Sequence, residues 1–449
     1  MDIQKKIKGL LLRALLLIAF VIAATLFINL PLFDDPLHPE LVSLSSPGPV
    51  SMDDNTYPLV HGFSAAEDKD ANAVGLAIVR KIRERHQQGE ETPISAEEMS
   101  GLLGGTDLDE EWRSIVQSVY CNSRLEIDCA GTLIAEIESL DFDQSRVRIL
   151  LERYEQILQA PRFQENEEVD SSTLWPDYGL LMHVSRVRLA NSFQHDTTEH
   201  FLAKVDEDLH FWRIMLRDGQ SMIAKMVALA GFRNNLEFLS AFMRLRDLDS
   251  NEIQSIRDLL RPLTSDELDI GESFLAEIRM SLLSDNPLFV ILGDYSGTTK
   301  LFLQERATLN EYYLKMVTPL VLRAALSAGE FYDQKGYDKL GYHFRVFPPP
   351  LFNVGGKLAL QRMSSEYNLQ DYISRMHDVN GRVALVLLQA EIEERPDLGI
   401  EDILQSTAYR NPYTDKAMSY DSSANTIGFE CLTESPTDVC SVRIGRNEH

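Results

Sequence analysis

Positive charge is scarce in this chain, cysteine is scarcer, and the short signatures of common catalysts are missing. Lys and Arg number 43 against 69 Asp and Glu, a net charge of −26 and a pI of about 4.8. A surface of that sign repels phosphate backbones, so nucleic acid is set aside as a partner. There is no G-x-S-x-G elbow, no H-E-x-x-H pair and no G-x-G-x-x-G loop. Each would have placed a nucleophile, a zinc ion or a dinucleotide at a defined turn or helix. No cofactor or resident metal is expected. The four cysteines include no C-x-x-C, which argues against both a zinc site and a redox motif. They fall instead into two close pairs, Cys121 with Cys129 and Cys431 with Cys440. Local pairing is the preferred of three connectivities. Each bridge would contribute about 2.5 kcal/mol in the chain-entropy picture. Disulfides imply an oxidising compartment.

Long apolar runs are scarce as well, and the single one sits at the N-terminus. From Ala14 to Phe33 the only strongly polar residue is Asn29. As a helix that run spans about 30 Å, the thickness of the hydrocarbon layer. Lys5, Lys6, Lys8 and Arg13 precede it, and Asp34 and Asp35 come after it. The positive flank predicts a cytoplasmic N-terminus with the remaining chain exported. Val21-Ile22-Ala23 could serve a signal peptidase, but the run continues through Leu26, Phe27 and Ile28, which favours an uncleaved anchor. The Lys-Lys-Ile-Lys-Gly start also has the look of a prepilin leader. Leu10 and Ala14 stand where a type IV pilin has Phe and Glu, so a pilus-like role is the weakest reading.

Of the 449 residues 44% are hydrophobic and 25% charged, as in a globular protein. The chain divides into four segments. Residues 1–33 form a cytoplasmic stub and membrane anchor. Residues 34–58, with Pro36, Pro39, Pro47, Pro49 and Pro58, read as an extended tether. Residues 59–396 read as a helical body. Leu202, Val205, Leu209, Trp212 and Leu216 share one helix face, and residues 178–245 predict two or three antiparallel helices joined by short turns. These resemble TPR-type hairpins, without the 34-residue period of a regular array. Three prolines, Pro348 to Pro350, break the pattern, and a last long helix turns Tyr372, Met376, Val379, Val383, Val386 and Ala390 inward. Residues 397–449 change character. Short runs around Tyr420, Ile427 and Val442 flank turn residues and predict a small β-hairpin element stapled by Cys431–Cys440. The expected fold is mainly α: an irregular helical-hairpin body, a C-terminal β element and one transmembrane helix.

Three stretches invite a chemical reading. His195 and His200 are five apart, which suits a capped helix start better than a metal pair, with His210 nearby. Gly293–Lys300 has the wrong spacing for a phosphate loop. Arg375, His377, Asp378 and Arg382 crowd one helix. Asp378 can pair with either arginine at helical spacing, and His377 with Asp378 could form an acid–base set. Adjacent helical residues diverge by about 100°, however, so an ion-pair network is the favoured reading.

Several stretches taken together resemble a group of single-pass, periplasm-facing envelope proteins of Gram-negative bacteria with no assigned activity. They are Asn55–Phe63, the Cys121 and Cys129 pair, Phe211–Asn235, Phe352–Leu358 with Tyr372–Arg382, and Asn411–Asp421. The last is also similar to an Asp-Pro-[Phe/Tyr]-Thr-Gly-x-Pro tail of exported proteins. Asn411, Asp415 and Ala417 depart from that pattern. The resemblance implies location and architecture, an inner-membrane protein with a periplasmic body, and no catalytic residue. The expected role is binding or scaffolding of an envelope protein partner. The alternative is an envelope hydrolase with carboxylate or His chemistry.

Overall fold

A computed structural model describes residues 2–45, 52, 54–88, 94–104, 128–142, 145–165, 174–284, 287–292, 302–335, 352–366, 368–433 and 440–445. Helix α1 (Asp2–Ile28) carries the apolar run. Within it Ile7–Ile28 is long and apolar enough to cross a membrane, as no other helix is among the described residues. Helices α2 (Pro39–Leu44), α3 (Tyr57–His61), α4 (Ala71–Gln87) and α5 (Ala96–Leu103) open the body. Helices α6 (Cys129–Glu136) and α7 (Ser145–Leu158) lead to a central trio, α8 (Tyr178–His195), α9 (Thr198–Asp218) and α10 (Met222–Leu245). Then come α11 (Ser250–Leu259), α12 (Ser265–Leu268), α13 (Gly271–Leu283), α14 (Pro287–Leu292) and α15 (Glu305–Tyr312). A π-turn over Tyr313–Val317 joins α15 to α16 (Thr318–Ala324). Helices α17 (Ala328–Lys335), α18 (Val354–Glu366), α19 (Gln370–Glu394) and α20 (Ile400–Ser406) complete the helical part.

The trio forms as the periodicity predicts. Thr197 caps α9 by accepting a hydrogen bond from the His200 amide, so the His195–His200 stretch is a helix start. Ser221 caps α10 through the Ala224 amide in the same way. Leu202, Val205, Leu209, Trp212 and Leu216 are all buried. Gly231 lets α10 approach α9 closely, since a Cβ there would lie 2.3 Å from the Trp212 ring. Phe193, Phe201 and Phe242 knit the three helices with ring centroids 4.4–5.9 Å apart. One difference from the periodic reading is α19. It is buried on nearly every side, including Ile373, Leu385, Leu387 and Leu388, because α10 and the C-terminal sheet both pack on it.

The C-terminal strands β1 (Ser419–Asp421), β2 (Thr426–Gly428) and β3 (Ser441–Arg443) form an antiparallel meander. Ile427 pairs with Tyr420 on one side and Val442 on the other. The Asp421 carboxylate accepts the Ser423 and Ala424 amides, which closes the first turn, and Asn425 takes the left-handed conformation there (φ 50°). Cys431 and Cys440 are bridged, with Cα atoms 5.5 Å apart.

The expected extended tether is not what forms at its N-terminal end. Residues 34–45 lie folded on the body. The Asp34 carboxylate accepts the Arg306 and Ala307 amides at 2.9 and 3.0 Å and so caps α15 from outside. His38 donates its amide to the Asn310 side chain, which donates in turn to the Pro36 carbonyl. The Tyr313 hydroxyl donates to Glu40, and Leu41 is fully buried. Proline content signalled an extended chain. It could not show that the free amides of a distant helix end would bind that chain.

Candidate functional site

The crowded polar stretch of α19 lies where α10, α19 and the C-terminal element meet. Gly381 permits that meeting, since a Cβ there would come 2.5 Å from the Phe429 ring and 2.9 Å from Pro412. Asp378 is buried and turned toward the C-terminal element. Its Oδ1 accepts the Tyr413 hydroxyl and the Leu432 amide (2.8 Å), and its Oδ2 accepts the Thr433 amide (3.0 Å). Burial raises the pKa of Asp378, and these hydrogen bonds oppose the rise. Burial, and then the Asp378 charge, pushes the Tyr413 hydroxyl upward.

The neighbouring His377 faces elsewhere. It is buried with its ring 5.4 Å from Phe331, and its Nε2 has no hydrogen-bond partner. Burial lowers its pKa to about 4. The possible acid–base set is therefore split between two environments. The expected ion pairing also changes partners. Arg375 binds Asp371 one turn earlier (2.9 Å) and stacks over Tyr372, while Asp378 holds the C-terminal element.

Arg375, Asp378 and Arg382 do share one recess, with Met226, Leu229, Ala230 and Arg233 from α10 and with Thr433 and Cys440. Its volume is about 50 Å³. Arg233 lies 3.5 Å from Glu237, whose pKa is raised by burial against the pull of Arg233, Arg382 and Arg186. Three guanidinium groups thus line a small space beside the Asp378 carboxylate, with Arg375 paired to Asp371 and Arg233 to Glu237.

The carboxylate of Asp378 and the sulfurs of Cys431 and Cys440 lie within 4.8 Å of one another. They do not make a metal site, because bridged sulfurs offer no thiolate. His195, His200 and His210 are exposed and belong to no metal-ligand group among the described residues. Cys129 is disulfide-bonded. Its expected partner Cys121 lies outside the described residues, as do Gly293–Lys300 and the three prolines.

A second polar centre escaped the sequence reading. Asp208 on α9 is fully buried. It accepts hydrogen bonds from Tyr154 of α7 (2.6 Å), Ser185 of α8 (2.8 Å), Trp212 of α9 (2.8 Å) and Asn235 of α10 (2.7 Å). One signal was available. Asp208 stands three residues after Val205 and four before Trp212, on the apolar face itself. An acid in that position is either an error of periodicity or a buried, satisfied group.

No protein-family model, curated protein or solved structure matches this chain.

Proposed function

We propose that the protein is a single-pass protein of the bacterial inner membrane. Its N-terminus is cytoplasmic, and its periplasmic body binds an envelope protein as a scaffold rather than catalysing a reaction. The apolar helix with its basic flank supports the anchor and its direction. The Cys431–Cys440 bridge supports the oxidising side. The observation that carries binding over hydrolysis is the separation of His377 from Asp378. The imidazole is enclosed against Phe331, and the carboxylate is occupied by Tyr413 and two amides. A hydrolase built on this pair would need both groups to reach one substrate. The arginine-lined recess between α10 and α19 is the place where an acidic side chain or a terminal carboxylate of a partner would dock.

The test is photo-crosslinking of the full-length protein in its membrane from position Met226, with and without Arg375→Glu. A discrete product lost on charge reversal is expected. A product that ignores the reversal, or none together with hydrolytic turnover that depends on His377, would overturn the reading.

A further inference from the structure

The join between α1 and the body is short and stiff. Asn29, one residue beyond α1, is buried and accepts the Asn353 amide (2.8 Å) just before α18. Five residues later Asp34 caps α15. Ala24, Thr25 and Ile28, in the last turns of α1, are half-buried. Ala24 precedes Ile28 by one turn, about 6 Å along the axis. Any bilayer that ends at Ile28 therefore meets the body.

Beyond the end of α1 the apolar sequence continues. There the chain exposes Leu32 (86%) and Phe33 (42%). The two elements docked at the join expose Leu314 (49%) after α15 and Leu358 (51%) in the first turns of α18. Glu311 bridges Lys315 and Lys357 beside these two leucines, each at 3.4 Å. Lys315, the exposed one of the two, can lay its methylenes on the apolar side and keep its charge in water. A recess of about 490 Å³ opens next to Leu314, between residues 35–39 and α15. Leu37, Pro36 and Pro39 help to line it.

We infer that Leu32, Phe33, Leu314 and Leu358 form a lipid-binding face that seats the body in the outer interface of the bilayer it is anchored to. The inference rests on the anchor proposed above. Its partner is the phospholipid surface, engaged by apolar insertion rather than by charge. An acidic protein gains nothing from anionic headgroups. The consequence is orientation. A body held at both α1 and this face presents the same surface to the periplasm at all times.

Among the described residues no cysteine is free, so single introduced cysteines can be labelled in the full chain. The probes are Leu17→Cys in α1, Leu314→Cys and Leu358→Cys on the face, and Leu398→Cys, an exposed leucine between α19 and α20. Each carries an environment-sensitive fluorophore. The protein is reconstituted in phosphatidylcholine vesicles, with and without nitroxide-bearing lipid. Strong quenching at Leu17→Cys is expected. At Leu314→Cys and Leu358→Cys, quenching should be several-fold above Leu398→Cys, with blue-shifted emission. Quenching at Leu17→Cys with both face positions at the Leu398→Cys level overturns the lipid-binding face and leaves the anchor standing. Absence of quenching at Leu17→Cys overturns the anchor and the face together. Blue-shifted but unquenched face positions mean that a second copy of the chain covers them, and overturn the lipid assignment.

Discussion

Asp208 and Asp378 are both buried carboxylates in a helical core, yet they organise their regions differently. Asp208 gathers side-chain donors from four regular helices. Asp378 gathers a phenol and two backbone amides from the turns that flank the small C-terminal sheet. The first carboxylate specifies how finished helices pack. The second supplies the partners that the C-terminal element lacks. Buried donors must be satisfied in both places, and the cost of removing the acceptor depends on how many are stranded.

Four changes separate the two regions, in falling order of effect. Asp208→Ala strands Tyr154, Ser185 and Trp212 in the centre, leaves Asn235 only its bond to Gly231, and should cost about 4 kcal/mol of global stability, read by urea unfolding. A cost below about 1 kcal/mol would mean that water enters the site. Asp378→Ala should cost about 3 kcal/mol. It should act locally, with amides of Leu432 and Thr433 exchanging fast while α9 and α10 keep their protection. If α9 lost protection equally, the two regions would be one cooperative unit.

The third change is a pH dependence. Folded His377 has a pKa lowered to about 4, so between pH 6.5 and 4 the unfolded chain binds more protons. Stability therefore falls as pH drops through that window, by about 3 kcal/mol for this group. His61, lowered to about 3, and His183, lowered to about 4, act in the same direction. Asp378, Glu165, Glu237 and Glu277 are raised by burial and oppose them, since their stabilisation is present at low pH and lost as pH rises through their folded values. The clean readout is the difference between the parent and His377→Gln. The variant should lose less stability between pH 6.5 and 4, and parallel curves would refute a neutral buried imidazole.

The smallest effect is expected from replacing Cys431 and Cys440 together by serine. The bridge closes a short loop and contributes about 2.5 kcal/mol in the chain-entropy picture. Protease cleavage near Glu430 should accelerate while the helical body stays intact. Co-unfolding of the body would show that the bridge supports more than its own element.

Much of this architecture was legible in the residues. The α9 stripe, the helix start at Thr197, the turn after Asp421 and the close cysteine spacing are local signals, read over a few neighbouring positions. The third strand was legible too, because alternation survives in Ser441–Arg443. The candidate site was only half legible. Arg375, Asp378 and Arg382 were identified, and they share a recess. Arg233 comes from a helix far earlier in the chain, at a distance that no spacing rule spans.

By itself the sequence determined the helices, the apolar N-terminal span, the acidic surface and the C-terminal turns, since each depends on propensity and periodicity over one element. Only the tertiary structure decided which polar groups are consumed and which face a recess. It gave Asp378 to Tyr413 and the Leu432 and Thr433 amides, sealed His377 against Phe331, drew Asp208 into four helices and folded residues 34–45 onto the body. The physical reason is the same in each case. A buried donor or acceptor takes whichever partner the packing brings within about 3 Å, and that partner is usually far away in the chain.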